Sequence, residues 1–193
     1  MTRRQHHLAC VAALAAALIP ALGLAQAAPA SAARSTLPVA QGQSVLSIRA
    51  TVSLKPGYPQ AVARTTFHLV DNSLGTILKS AGLTIKGRDG QDKLAQTEDD
   101  YAIWFGFAAN NLRMLPIGDF YEKAMGTLKP HILQTVISDF DGKARFAPVK
   151  MGAYYLLGVA RTPKGFAVWQ LKAPLDAANV NLTLDERNAA VVQ

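Results

Sequence analysis

From residue 44 onward apolar and polar side chains alternate with period 2, the pattern of a half-buried strand. Residues 44–54 (SVLSIRATVSL) place Val45, Ile48, Ala50, Val52 and Leu54 on an inner face after one phase slip. Lys55-Pro56-Gly57-Tyr58-Pro59 reads as a turn, because Pro donates nothing to a ladder and Gly weakens one. Residues 60–70 (QAVARTTFHLV), rich in β-branched and aromatic side chains, predict a second strand.

The period then changes to 3.6. Asp71-Asn72-Ser73 offers N-cap side chains to a short helix through Lys79, with Leu74, Ile77 and Leu78 on one face and Gly82 as its stop. A polar turn follows at residues 86–92 (KGRDGQD). Residues 98–112 set Tyr101, Trp104, Phe105 and Ala108 on one stripe, with Glu98, Asp99 and Asp100 at the positive end of the helix dipole. Ile117, Phe120, Tyr121, Ala124, Met125 and Leu128 continue at helical spacing until Pro130.

Alternation returns at His131. Residues 131–139 (HILQTVISD) and 143–149 (KARFAPV) flank Phe140-Asp141-Gly142, a hairpin signal. Residues 152–161 and 166–171 flank the turn Thr162-Pro163-Lys164-Gly165, and residues 178–185 (ANVNLTLD) predict the last strand. Seven short strands at this spacing predict a mainly β chain, a seven-stranded β-sandwich with an inserted block of two to three helices at about residues 72–129. The single sandwich domain is expected to span residues 44–187, with residues 188–193 as a tail.

Upstream of this region the pattern is of another kind. Arg3 and Arg4 precede an uncharged run from Leu8 to Ala25, and Ala25-Gln26-Ala27 supplies small residues for cleavage after Ala27. A positive start, an apolar stretch and an A-x-A end make a signal peptide, residues 1–27, and an expected periplasmic or secreted location. Retention of the run as a membrane anchor is the competing reading. Pro20, Gly23, the Ala-rich composition and a second small-residue site at Ala30-Ser31-Ala32 favour cleavage, which leaves no stable membrane span. Cys10 precedes the apolar run and is therefore not a lipoprotein cysteine. Residues 28–43, small and polar with Pro, read as a flexible leader.

Removal of the signal changes the composition. The 193 residues carry 20 Lys+Arg, 13 Asp+Glu and one Cys; the 166 left have 18 basic residues against the same 13 acids, net +5, and no Cys. Such a domain relies on its core, and a chain of this size buries about 70% of its unfolded surface. Its basic residues, among them Lys55, Arg64, Lys79, Arg113, Lys143 and Lys172, occur singly, with no basic stripe, which argues against nucleic acid as a partner.

The residues from Thr135 to Phe146, with Ser138-Asp139-Phe140-Asp141-Gly142 at their centre, are followed by Val149 and by Gly152-Ala153-Tyr154-Tyr155-Leu156. This block resembles the carboxypeptidase regulatory-like domain, a transthyretin-like β-sandwich family that repeats a Thr-Asp-x-x-Gly-x-x-x-Phe hairpin, a short Pro turn and Gly-x-Tyr-x-Leu. Val52-Ser53-Leu54, Ala61-Val62-Ala63 and Phe67-His68-Leu69 fit its opening strands, while the helical block lies outside the resemblance. The resemblance implies a Greek-key sandwich that is itself non-catalytic and serves as a structural, adhesive or binding module. Its motif residues, Asp139, Asp141, Gly142, Phe146, Gly152 and Tyr154, have structural reasons of their own. Gly142 takes a positive φ, the two Asp satisfy nearby backbone donors, and Phe146, Tyr154 and Leu156 fill the space between sheets.

Candidate chemistry is sparse. After cleavage only His68 and His131 remain, far apart on predicted strands, and no metal site or cofactor is expected. Asp139-Phe140-Asp141-Gly142 lacks the further ligands of a calcium loop, and its twelfth position is Lys150. Glu98-Asp99-Asp100 is better read as dipole compensation than as an acid/base pair, and no Gly-x-Ser-x-Gly elbow occurs, so no catalytic residue is assigned. The C-terminal residues Leu184-Asp185-Glu186-Arg187-Asn188 lack the Tyr-Arg-Gly-Ser of transthyretin-like ureide hydrolases. Asn181-Leu182-Thr183 is a formal glycosylation triplet inside a predicted strand.

The inserted helices hold Tyr101, Trp104, Phe105, Phe107, Phe120 and Tyr121, an aromatic cluster that packs them on the sandwich. Trp104 and Phe107 are the candidates for a partner patch. The expected role is an exported non-catalytic binding or structural module of the cell envelope, with an unidentified protein or carbohydrate as partner. Two alternatives remain: a small interaction subunit docking through the helices, and an enzyme with a site between insertion and sandwich.

Overall fold

Phe166, Ala167, Val168 and Trp169 are four consecutive buried residues, so the strand that carries them is covered on both faces. The rest of the fold follows from that double cover. The structure, a computed structural model, describes residues 40–55, 58–86, 91–114, 116–162 and 165–192, and only the backbone of Leu54 and Lys55. The predicted signal peptide and residues 28–39 of the predicted leader lie outside the described residues.

Two sheets face each other. The first is organised on β1 (Gln43–Lys55), which pairs in parallel with β11 (Asn179–Leu184) along one edge. Along its other edge it pairs in turn with β8 (Val149–Lys150), β7 (Lys143–Arg145) and β2 (Tyr58–Ala61). The second sheet has the order β12 (Val191–Val192), β10 (Gly165–Leu175), β9 (Gly152–Thr162), β3 (Thr66–Val70), β6 (Ile132–Ile137). Between them lies a core that includes Leu46, Ile48 and Ala50 of β1, Phe67 and Leu69 of β3, Phe146, Leu156 of β9 and Trp169 of β10. Trp169 is fully buried, its ring tilted against Phe67 at 6.2 Å, and its indole N–H donates to the Asp185 carbonyl at 3.0 Å.

The outer face of the second sheet carries three helices, α1 (Leu74–Ser80), α2 (Glu98–Asn110) and α3 (Ile117–Leu128), together with a two-stranded ribbon of β4 (Thr84–Lys86) and β5 (Asp92–Leu94). Leu157, Phe166 and Val168 pack there against Leu74, Leu78, Tyr101, Phe105 and Phe120. The approach is close at Gly106, where a Cβ would lie 2.4 Å from the Phe166 ring and 2.5 Å from Val168. The whole block connects β3 to its antiparallel neighbour β6. Its two ends meet at a neck, where the Asp71 amide donates to the His131 carbonyl at 3.2 Å and the His131 Nδ1 lies 2.9 Å from Asp71 Oδ1.

The mainly β architecture with inserted helices is as the periodicity predicts, and the departures are local. The predicted strand 60–70 divides into β2 and β3, which belong to different sheets, because the chain leaves the ladder at Arg64 with φ +51°. The predicted strand 143–149 divides likewise into β7 and β8. His131 sits in a 3-10 turn, Lys129–His131, rather than on a strand. The predicted polar turn 86–92 is flanked by the short β4–β5 pairing, its residues 87–90 lying outside the described set. Gln43, read as leader, already pairs with Lys150, and Val191–Val192, read as tail, add a strand to β10.

The hairpin motif is as its chemistry requires. Gly142 has φ +73°, and a Cβ there would meet the Ala50 carbonyl at 2.3 Å, the same residue whose amide donates to the Gly142 carbonyl. Asp139 Oδ1 accepts from the Asp141 amide at 2.9 Å and the Lys143 amide at 2.8 Å. Gly142→Ala is therefore expected to lower stability by about 1–3 kcal/mol, the cost of a strained residue held in place. Urea unfolding measures it, and an unchanged midpoint contradicts this account of the turn.

Candidate functional site

An eleven-residue strand such as β9 spans roughly 36 Å, whereas the thirteen residues of α2 span roughly 20 Å. The helical layer leaves part of the second sheet uncovered, where Thr66 of β3 and Arg161 of β9 are exposed. The uncovered part is the end carrying the start of β3 and the finish of β9, and it forms a half-open cleft of about 700 Å³. One wall is the C-terminal turn of α2 (Ala109, Asn110) with Phe105 and Tyr121, and the other is the β2–β3 connection.

Strand alternation decides which side chains point in. Leu157 and Val159 pack toward the helices, so Arg161, two further along β9, emerges on the same face. On β3 the outward residues are Thr66 and His68, since Phe67 and Leu69 belong to the inner core. His68 is half-buried and its Nδ1 lies 2.8 Å from Thr135 Oγ1. Burial pushes its pKa below the ordinary histidine value and, by the same desolvation, pushes the Tyr121 hydroxyl above the ordinary tyrosine value. Both stay neutral near pH 7, as hydrogen-bonding groups.

Arg64 is held at the rim by its backbone. Ser138, buried, donates its hydroxyl to the Val62 carbonyl at 2.6 Å and accepts from the Thr65 amide at 3.0 Å. The Arg64 amide donates to the Ser138 carbonyl at 3.0 Å, and the Ser138 amide to the Thr65 carbonyl at 2.9 Å. This network maintains the positive φ of Arg64, whose guanidinium lies over the exposed Phe140 ring, 4.8 Å from its centroid. Strain of this kind gathers at functional sites. At the α2 end the carbonyls of Gly106 and Phe107 already accept from the Asn110 and Asn111 side-chain amides at 2.8 and 2.7 Å, which damps the negative end of the helix.

The lining residues among those described include no Asp, Glu, Cys or Ser. They supply hydrogen bonds, an apolar wall and positive charge. Only His131 and Asp71, at the neck, form an ion pair involving histidine among the described residues, and they lie outside the cleft.

The residues singled out from sequence go elsewhere. Asp139, Asp141 and Gly142 build the hairpin; Phe146 is fully buried between the sheets. Tyr154 is half-buried at the core margin, its hydroxyl donating to the Lys150 carbonyl at 3.0 Å, and Gly152 opens β9 beside that ring. Trp104 and Phe107 are half-buried and meet edge to face at 6.0 Å, with Trp104 also 6.2 Å from Phe120. Trp104 lines a small hollow of about 180 Å³ with Ile117, Phe120 and Lys123; Phe107 does not. The acidic run is structural: Asp100 accepts from the Thr97 and Gln96 amides in a capping box, and Glu98 accepts from Thr76 of α1 and Gln170 of β10. The cleft residues Arg64, His68, Asn110 and Arg161 form no linear motif. The single sequence signal for them is a charge, Arg64, set in the middle of a β-branched run.

A β-sandwich with a helical layer on one sheet is thus the class that the fold defines. No protein-family profile matches this chain, and no curated protein does. Among solved structures it is similar to a candidate carbohydrate-binding protein of Pseudomonas aeruginosa, at TM-score 0.41 and 11% identity, over 79% of this chain and 92% of that one. It is also similar to the major pilin subunit of Bacillus cereus, at TM-score 0.33 and 10% identity over 74% of this chain. A minor pilin of Streptococcus agalactiae gives TM-score 0.33 and 10% identity over 75%. The chain spans 29% and 44% of the lengths of those two pilins. No helix among the described residues is long and apolar enough to cross a membrane.

His68 supplies a pH prediction. Its folded pKa lies below the unfolded value of 6.5, so the unfolded chain takes up the proton first as pH falls. Stability is expected to decline from about pH 6.5 down to the folded pKa and then level off as far as this group is concerned. His68→Gln removes that share of the decline in urea midpoints between pH 8 and 5. Parallel curves for the two proteins would contradict it.

Proposed function

We propose that this protein is an exported, non-catalytic β-sandwich module that binds a small ligand of the cell envelope in the cleft at the end of α2. The observation that carries the reading is the cleft itself. At about 700 Å³ it falls within the range of about 300–1,000 Å³ usual for small-ligand sites. It combines one apolar wall with a few convergent polar groups, and its rim is fixed by a buried hydrogen-bond network centred on Ser138. The signal-like start, with cleavage after Ala27, supports a periplasmic or secreted location. The hairpin residues Asp139, Gly142 and Phe146 support kinship with carboxypeptidase regulatory-like domains.

A second reading, docking of a protein partner through the inserted helices, draws support from Leu112 and Met114. Both are about half exposed in the connection between α2 and α3.

Ala109→Trp separates the two readings by filling the cleft from the helix side. A thermal-shift screen of envelope saccharides and peptides is expected to find ligands that raise the midpoint of the natural protein and not of this variant. Ligands that stabilise both equally would place binding outside the cleft. The chain recovered from the envelope is expected to begin at Ala28, and intact mass measures it. A protein retaining Met1–Ala27 contradicts export by cleavage.

A further inference from the structure

The charge of the cleft is one-sided. Arg64 and Arg161 both line it and no carboxylate does, among the described residues. Neither guanidinium has an Asp or Glu within ion-pair distance among the described residues, although four such pairs occur elsewhere. In the ladder Phe67 pairs with Gly158 and His68 with Leu157. Arg64, in the β2–β3 connection where the chain leaves that ladder, and Arg161, near the finish of β9, both line the cleft at this end of the sheet. Two like charges left without counter-ions at a concave site hold a potential that an anion would relieve.

The remaining polar groups are neutral. Thr66, His68, Asn110 and the Tyr121 hydroxyl line the same cleft, and they suit a ligand with several hydroxyl groups. The Phe105 and Tyr121 rings, 5.3 Å apart, form the apolar wall. A bare inorganic anion would leave that wall and most of those groups unused. At the α2 terminus, which would oppose an anion, the Asn110 and Asn111 side-chain amides donate to the Gly106 and Phe107 carbonyls.

We infer that the ligand is an organic anion on a polyhydroxylated frame, an acidic sugar whose carboxylate is held between Arg64 and Arg161. This rests on the binding reading given above and specifies its ligand class. Guanidinium binds carboxylate through a planar fork that lysine cannot reproduce, and both cations here are arginine.

The test is an amide NMR titration of the purified protein with four probes: glucuronate, glucose, acetate and inorganic phosphate. Glucuronate is expected to shift the signals of residues 64–68, Asn110 and residues 159–162, and to bind more tightly than the other three. Arg161→Met is expected to weaken it about tenfold or more, as loss of a hydrogen-bonded charge pair does, with glucose unaffected. Arg161 is exposed, so the variant should fold, and an unchanged urea midpoint confirms that. Glucose binding in the cleft as tightly as glucuronate would overturn the anion inference and leave the binding reading standing. Acetate or phosphate matching glucuronate would overturn the sugar frame. Titration of all four probes with no shift at the cleft would overturn the inference, while Ala109→Trp-sensitive ligands from the thermal screen would still uphold the binding reading.

Discussion

The burial of β10 on both faces is the constraint on which the structure depends. Ala167 and Trp169 fill the space between the sheets, while Phe166 and Val168 are equally buried under the helices. Residues 72–130 are thus no decoration on a finished sandwich. Without them Leu157, Phe166 and Val168 would face water together, and burying each such side chain is worth about 1.5–3 kcal/mol. The layer is fastened at several points: the neck at Asp71 and His131, the close contact at Gly106, and Glu98 reaching both Thr76 and Gln170.

The same constraint makes the cleft. The helices cover only part of the second sheet, and the cleft opens at the end where β3 begins and β9 finishes. A sheet surface exposed there would ordinarily be patched by charged side chains in contact with solvent. Here the patch is concave, has cations without acids among the described residues, and is bordered by a backbone turn held in a sparsely populated conformation. Structure and site follow from one geometric fact.

Much of the fold was legible in the sequence. Ser73 caps α1 as the Asp-Asn-Ser run predicts, the acidic run marks the start of α2, and Gly142 sits at its hairpin with the expected positive φ. These features are local, and local chemistry is written in consecutive residues. The division of residues 60–70 between two sheets was not legible, because a single positive φ at Arg64, sustained by Ser138 more than 70 residues away, decides it. The site was hidden for the same reason. Its residues come from the β2–β3 connection, β3, α2, α3 and β9, and the aromatic pair that drew notice, Trp104 and Phe107, packs among the helices instead.

A crystal structure of the protein grown with glucuronate tests the central claim most directly. The account predicts ligand density in the cleft, with a carboxylate bridging Arg64 and Arg161 and the ring lying toward Phe105 and Tyr121. Density against Trp104 and the outer face of the helices, with the cleft holding solvent alone, would contradict it.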